Sequence, residues 1–270
     1  MLLKRWITGL VALPLLVALI LKGGPVAFLI LAILVCMLSL WEYFRIVFSH
    51  WDGIMQSPII LLAFLTGPLI IVSAYTNSTP ILLALLAFNL IIAGLLSLFR
   101  FKHDPAAFEL VTKQILGLVY IPVFLSYLIL IRNGVNGDIW ILSYLFIIFA
   151  GDTGAFFVGT YLGRHKLCPA VSPGKTIEGA VGGLVANLAM AAILKLLVLA
   201  ISWHVCILFS LAVGSVGQAG DLFESEIKRS ANIKDSGGIL PGHGGMLDRI
   251  DALLFAAPVA YFILKFTGYG

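Results

Sequence analysis

The sequence has few charged residues. Asp, Glu, Lys and Arg make up 11% of its 270 residues, while 61% are hydrophobic, whereas a soluble domain carries roughly a quarter charged residues. The mean hydropathy is +1.08. This balance excludes an ordinary water-soluble domain and indicates an integral membrane protein. The net charge of +4 is small. It suits a cytoplasmic protein surface next to anionic lipid or phosphate, and we expect no nucleic-acid partner.

Cysteine is also scarce, with three widely separated residues at Cys36, Cys168 and Cys206. Two of them lie inside apolar segments, so we predict small core residues rather than a disulfide framework or a CxxC metal site. A GxSxG nucleophile elbow and a histidine cluster with zinc-ligand spacing are missing as well. The remaining chemistry must need neither a serine nucleophile nor a zinc ion.

Apolar runs recur along the whole chain. About 20 apolar residues cross a bilayer core as a helix, and these runs lack the alternation typical of a β-barrel. The first run resembles a signal peptide but has no small-x-small cleavage site, so we expect a retained helix. We predict an all-α, polytopic membrane protein with about nine transmembrane helices. The predicted spans are about 6–21, 25–41, 58–75, 80–99, 114–131, 139–162, 177–200, 203–227 and 248–266.

The basic residues predict an orientation. Nine spans place 13 of the 17 Lys and Arg residues on one face, which the positive-inside rule assigns to the cytoplasm together with the N-terminus. We expect one integral membrane unit, in which residues 1–137 supply about five spans and residues 138–270 supply about four spans that carry catalysis. The expected location is the cytoplasmic or inner membrane of a cell, with the active site on the cytoplasmic side.

The charges that are present cluster near the end of the chain. Ten of the 30 lie between Asp221 and Asp251. Asp221 and Glu224 share one face of span eight, and Asp248 and Asp251 share one face of span nine, because residues three apart on a helix are neighbours. Facing each other, these acids would form an oxygen-rich pocket for a divalent cation, with Mg²⁺ the default when phosphates are also bound.

An alternative assigns these acids structural roles. Asp248 would cap span nine and pair with Arg249, and Glu224 would pair with Lys228, four residues later. Between the two helices, several glycines allow backbone amides to approach an anion, and the N-terminus of span nine would add its dipole. The cations that can neutralise a polyphosphate here are Lys228, Arg229, Lys234 and Arg249.

A second polar segment, residues 163–183, is predicted on the same face. Its GKT sequence is not a P-loop, because Pro169 stands where that motif requires glycine. The remaining polar group at a predicted helix start can hold a phosphate headgroup through amides, hydroxyls and a cation; its members are Ser172, Lys175, Thr176 and Glu178. A simple helix cap by Ser172 or Thr176 is the alternative.

Two further residues are candidates for the functional site. Asp152 is a carboxylate within span six, where the alternatives are a functional role and a structural hydrogen bond. His243 lies in the glycine-rich loop, where it either contacts substrate or only hydrogen-bonds within the loop. A cation- or proton-coupled transporter using Asp152, Asp221 and Asp248 is the competing function, although such carriers usually have two related halves with midplane carboxylates.

Residues 225–251 carry a specific signature. It is similar to that of the CDP-diacylglycerol synthase, or phosphatidate cytidylyltransferase, family, and we find no departure from it. The matching residues are Ser225, Lys228, Arg229, Lys234, Asp235, Gly237, Leu240, Pro241, His243, Gly244, Gly245, Asp248, Arg249 and Asp251. The upstream segment also resembles the family, through Asp152, Gly159, Gly163, Ser172, Pro173, Lys175, Thr176, Glu178 and Gly179. Phe156 stands where the family often has Tyr, and residues 1–137 resemble it only in being helical and hydrophobic.

The resemblance implies that CTP and phosphatidic acid react to CDP-diacylglycerol and pyrophosphate in phospholipid biosynthesis. It also implies Mg²⁺, with K⁺ as a further candidate ion, metal ligation by Asp221 and Asp248, and a homodimer. We expect catalytic roles for Asp221, Asp248, Lys228, Arg229, Lys234 and Asp251. We expect substrate binding by Ser172, Lys175, Thr176, Glu178, Ser225, Asp235, His243, Arg249 and Asp152. A CDP-alcohol phosphotransferase is not expected, since its DG-x2-AR spacing is missing.

Overall fold

The structure is a computed structural model that describes residues 13–50, 53–102, 105–233, 236–237 and 244–269. These residues form mainly long helices, with one short hairpin between two of them. In chain order the elements are α1 (Leu13–Lys22), α2 (Gly24–Val47), α3 (Pro58–Tyr75), α4 (Thr79–Phe101), α5 (Ala107–Asn133), α6 (Gly137–Leu162), β1 (Lys166–Cys168), β2 (Ser172–Thr176), α7 (Ile177–Leu197), α8 (Trp203–Ser230) and α9 (Leu247–Thr267).

Eight of the described helices, α2 to α9, are long and apolar enough to cross a membrane. The all-α, polytopic class is therefore confirmed. The predicted first span, at about 6–21, lies partly outside the described residues, so the total of nine spans and the cytoplasmic N-terminus stay predictions. The largest difference among the other spans is in α5, which begins at Ala107 rather than at about 114. Helix α2 also continues past 41 to Val47, because its last turns remain buried in the bundle.

Proline positions explain several helix starts and one irregularity. Helix α3 begins at Pro58, and Pro80 is the second residue of α4. A missing amide costs little at these positions, because the first amides of a helix have no partner inside it. Pro122 lies within α5 in a π-helical turn, Val119–Val123, and the helix continues on both sides of it. Pro122 therefore does not break this helix.

Helices α3, α4 and α5 share a buried network of neutral side chains. The Asn89 amide donates to the Thr66 hydroxyl over 2.9 Å, and the Gln114 amide donates to the Asn89 side-chain oxygen over 2.9 Å. All three side chains belong to buried residues. Hydrogen bonds between helices replace the ones that lipid cannot offer, so the network stabilises the packing of this first half.

Helices α6 and α7 pack closely because small residues line their contact. A methyl group on Gly154 would lie 2.5 Å from the Ala186 Cβ, and one on Gly182 would lie 2.5 Å from the Val158 Cβ. These separations are far below van der Waals contact, so glycine is required at both positions. Small residues at the start of α7 therefore allow these two helices to pack closely.

The segment between α6 and α7 contains a hairpin that the sequence did not indicate. Strands β1 and β2 are antiparallel, with Lys166 opposite Thr176 and Cys168 opposite Ser172. Helix α7 begins at Ile177 as predicted, but Ser172–Thr176 before it is a strand. The strand sequence SPGKT contains proline and glycine and has only one β-branched residue, so its propensity gave no strand signal.

Candidate functional site

Charged residues of α8 and α9 meet at one end of the helix pair. Lys228 Nζ lies 2.5 Å from Glu224 Oε2 one turn earlier and 2.8 Å from Asp248 Oδ1 on α9. The Glu224 side chain is inaccessible, and those of Lys228 and Asp248 are each 14% exposed. One buried cation is therefore shared by two carboxylates on different helices. Such a group is costly to desolvate, and removing Lys228 leaves two buried carboxylates without their shared cation.

Asp248 also binds backbone amides with its second oxygen. Oδ2 accepts hydrogen bonds from Gly245 N over 2.9 Å and from Ser236 N over 3.3 Å. The acid lies in the first turn of α9, where a negative charge is favourable next to the free amides and the helix dipole. Asp248 thereby connects α8, the glycine-rich segment and the start of its own helix.

Two basic side chains attach the hairpin to α8. Lys175 Nζ on β2 lies 2.5 Å from Asp221 Oδ2, and Arg229 Nε donates to the Val171 carbonyl over 3.1 Å. The Lys175 and Asp221 side chains are 27% and 37% exposed, so this pair is more accessible than the Lys228 group. The two polar segments that the sequence predicted on one face do meet at the same end of the helices.

Several acids lie close enough to influence one another electrostatically. Asp251 on α9 is within range of Asp221, Glu224 and Asp152. Asp152, on α6, is also within range of Asp221 and Lys175. The like charges repel one another, and a nearby cation relieves part of that repulsion. Among the described residues, Lys175 pairs with Asp221, and Lys228 pairs with Glu224 and Asp248.

The donor chemistry of Asp221 and Asp248 fits a hard divalent cation, because Mg²⁺ prefers carboxylate oxygens. Each carboxylate already contacts an ammonium group. Among the residues that the structure describes, no group of three or more His, Cys, Asp and Glu side chains is placed to hold a metal ion. Mg²⁺ is commonly bound through one or two carboxylates, with substrate phosphates and water completing its shell. Metal ligation by these two acids stays a prediction.

Thr176 and Glu178 have structural contacts at the start of α7. Thr176 is the N-cap, and its Oγ1 accepts a hydrogen bond from Gly179 N over 3.1 Å. The Glu178 carboxylate accepts hydrogen bonds from Arg164 N over 3.0 Å and from His165 N over 3.1 Å. The capping alternative for Thr176 is confirmed, while substrate contact by either residue stays a prediction.

Residues 3–267 match the model of a family described as the cytidylyltransferase family. The chain belongs to the cytidylyltransferase family. The match covers both the first half, where the sequence resemblance was weak, and the charged end of α8 and α9. Recognition of the family from the signature in residues 225–251 is therefore confirmed.

Curated relatives of this cytidylyltransferase-family chain are named phosphatidate cytidylyltransferase. The one from Bacillus subtilis (strain 168) is 46% identical over 154 residues, which cover 55% of this chain and 56% of that protein. The one from Staphylococcus saprophyticus is 33% identical over 264 residues, covering 96% and 98% of the two chains. The one from Staphylococcus aureus (strain COL) is 34% identical over 268 residues, with the same coverage.

The structure brings together many of the residues that the sequence predicted for this family's site. Direct ion pairs or electrostatic proximity connect Asp152, Lys175, Asp221, Lys228, Asp248 and Asp251. The ion-pair alternative for Glu224 is confirmed. Ser172 is half-buried on the hairpin, Ser225 is half-buried on α8 and Arg249 is exposed in the first turn of α9. Lys234, Asp235 and His243 lie outside the described residues.

One charged residue of the site was missed by the sequence reasoning. Glu42 on α2 has 0% exposure, and its carboxylate accepts hydrogen bonds from Met246 N and Leu247 N at the start of α9. The available signal was a single carboxylate near the end of an apolar run, which in a membrane helix indicates a specific partner. Protein carboxylates hold these amides in the structure, while phosphate binding aided by the N-terminus of span nine stays a prediction.

Proposed function

We propose that this chain transfers the cytidylyl group of CTP to phosphatidic acid, forming CDP-diacylglycerol and releasing pyrophosphate. The observation that carries this proposal is the accessible Lys175–Asp221 pair beside the buried Lys228–Asp248 group, in a chain whose named relatives are phosphatidate cytidylyltransferases. Charges of both signs at the end of apolar helices suit a reaction between a water-soluble nucleotide and a membrane lipid.

The reaction makes modest demands on the protein. An oxygen of the phosphatidic acid phosphate attacks the α-phosphorus of CTP, and the bond from that phosphorus to the pyrophosphate oxygen breaks. The second pKa of a phosphate monoester is about 6, so the nucleophile is largely ionised at neutral pH without a general base. Catalysis then consists of holding two anions in line and neutralising the departing pyrophosphate.

The side chains divide into accessible and buried groups. Lys175 and Arg229 lie on the accessible side of the site and are the proposed phosphate contacts. Asp221 and Asp248 would hold Mg²⁺, which would supply charge neutralisation for the phosphates, and K⁺ is a further candidate ion. Lys228 is mostly buried between two acids, so we assign it to positioning Asp248.

We also propose the setting in which the chain works. The distribution of Lys and Arg supports an active site on the cytoplasmic side of the cytoplasmic membrane. The proposed assembly is a homodimer, as the family resemblance implies. Exposed apolar side chains on α6 and α7, such as Phe157 at 51% and Val185 at 60%, suit contact with lipid or with a second copy.

The decisive experiment follows the label of CTP into lipid. Purified protein in phospholipid vesicles receives CTP labelled at the α-phosphate, and the lipid extract is counted. We expect labelled lipid only when phosphatidic acid and Mg²⁺ are both present, and none with diacylglycerol or with label at the γ-phosphate. Asp248→Asn should abolish the product, whereas Glu226→Gln, which changes an exposed acid near the end of α8, should not.

Two outcomes would contradict the proposal. The first is a wild-type protein that forms no lipid product with any divalent ion, and the second is normal turnover by Asp248→Asn. The transporter alternative predicts a different result, namely cation or proton flux into sealed vesicles without CTP. Measuring that flux in the same preparation separates the two functions.

A further inference from the structure

Glu42 is a buried carboxylate in the half of the chain that carries few of the site residues. Its Oε1 accepts a hydrogen bond from Met246 N over 2.9 Å, and its Oε2 accepts one from Leu247 N over 2.7 Å. The Ser236 hydroxyl lies 3.4 Å from Oε2. A buried carboxylate is tolerated only when hydrogen bonds or charges replace its water. The free amides and positive dipole end of α9 provide that replacement.

Two glycines make room for this carboxylate. A Cβ on Gly237 would lie 2.7 Å from Glu42 Oε1, and one on Gly245 would lie 2.7 Å from both Glu42 oxygens. Glycine is therefore needed at these two positions, because the Glu42 side chain of α2 reaches the segment before α9. The glycines of this segment therefore accommodate a side chain of the protein itself, in addition to the substrate anions that the sequence predicts for them.

The contact lies directly beside the predicted metal ligand and catalytic acid. Glu42 holds the amides of Met246 and Leu247, and Asp248, the next residue, holds the amide of Gly245. Asp248 in turn binds Lys228 on α8. The first turn of α9 is thus held from α2 on one side and from α8 on the other, which leaves little freedom for the direction of Asp248.

We propose that Glu42 is a positioning residue, an internal anion from the first half that occupies the N-terminus of α9 and sets the position of Asp248. The inference rests on the proposed function for what Asp248 does in the reaction. It has a second consequence, since substrate phosphates must bind to the basic side chains and not to the amides of Met246 and Leu247.

The test compares Glu42→Gln with a matched change in the same half. Glutamine keeps the size but loses the charge, and its NH₂ group faces an amide that needs an acceptor. Glu109→Gln on α5 is the control. The Glu109 side chain is 53% exposed, and it forms an ion pair with Lys113, one turn later on the same helix. Glu42→Asp keeps the charge on a shorter side chain, and we expect it to recover part of every effect.

Hydrogen exchange gives a readout that does not depend on catalysis. In Glu42→Gln, the amides of Met246 and Leu247 should exchange roughly 5- to 30-fold faster than in the wild type, as expected for loss of a helix cap. The kcat per folded molecule should fall roughly 10- to 100-fold, with KM for CTP nearly unchanged. Glu109→Gln should change neither quantity.

Glycine variants keep the proposal testable if Glu42→Gln does not fold. Gly237→Ala places a methyl group against the intact Glu42, so it should reproduce the faster exchange and lower kcat. In Gly94→Ala the new methyl group meets open space, and this variant should behave as the wild type. If Glu42→Gln folds, adding Gly237→Ala should cost little more, because both changes disrupt one contact.

Unchanged exchange at Met246 and Leu247 in Glu42→Gln would overturn the proposal. So would a loss of activity that only follows the amount of folded protein, with kcat per folded molecule equal to that of Glu109→Gln. A wild-type protein that forms no CDP-diacylglycerol would contradict the proposed function instead, and the exchange data would still decide the role of Glu42.

Discussion

The two halves of the described chain treat their buried polar groups differently. In the first half, Asn89 connects Thr66 and Gln114 through neutral hydrogen bonds between three helices. In the second half, Lys228 lies between the carboxylates of Glu224 and Asp248. Neutral networks of this kind stabilise helix packing by modest amounts, while a buried ionic group has a high desolvation cost. The neutral network of the first half contributes to helix packing, and the prediction that the second half carries catalysis would give a reason for its buried charges.

Glu42 is the exception that connects the two halves. It belongs to α2, yet the hydrogen-bond partners found for it, Ser236, Met246 and Leu247, all belong to the second half. The first half therefore contacts the candidate site through a specific side chain as well as through general packing.

The largest effect should come from Lys228→Met. The change leaves Glu224 and Asp248 buried without their shared cation, which should lower the free energy of unfolding by about 3–5 kcal/mol and remove most of the activity. Thermal unfolding in detergent and CDP-diacylglycerol formation measure the two quantities. Lys22→Met, at the exposed end of α1, is the control. If both variants unfold at the same temperature, the charged group does not stabilise the second half.

Glu224→Gln should have a smaller effect, because Lys228 keeps its contact with Asp248. Loss of one buried charge partner should cost about 1–3 kcal/mol of unfolding free energy. The matched control is Glu226→Gln, two residues away on the exposed side of α8, for which we expect almost no change. Equal melting temperatures for the two variants would contradict the buried position of Glu224.

Asn89→Ala tests the neutral network of the first half. It leaves Thr66 and Gln114 without the partner that joins them, and we expect a loss of about 1–2 kcal/mol of unfolding free energy. Turnover per folded molecule should stay at the wild-type value, since the network lies outside the site. A large fall in kcat without a fall in stability would show that the first half takes part in catalysis directly.

The smallest effect should come from a lipid-facing position of the first half. Leu98 on α4 is 72% exposed, so Leu98→Ala removes little buried surface and creates no cavity. Thermal unfolding and turnover should both stay near the wild-type values. A marked destabilisation would instead indicate that α4 packs against a second copy of the chain.

Much of the helical architecture could be predicted from the sequence, because an apolar run of spanning length depends on local composition alone. The predicted span at about 58–75 coincides with α3 (Pro58–Tyr75), and the starts of α6 and α7 were predicted within a few residues. The concentration of charge between Asp221 and Asp251 was also evident. Spacing along one helix even indicated the Glu224–Lys228 pair as an alternative.

The sequence by itself determined the membrane class, most helix boundaries and the place of the charged cluster, because these follow from local hydrophobicity and spacing. Only the tertiary structure decided that Lys175 pairs with Asp221, that Lys228 joins Glu224 to Asp248, and that Glu42 binds the start of α9. Glu42 and Met246 are 204 residues apart. Their contact depends on how α2 packs beside α9, and no local pattern of residues encodes that packing.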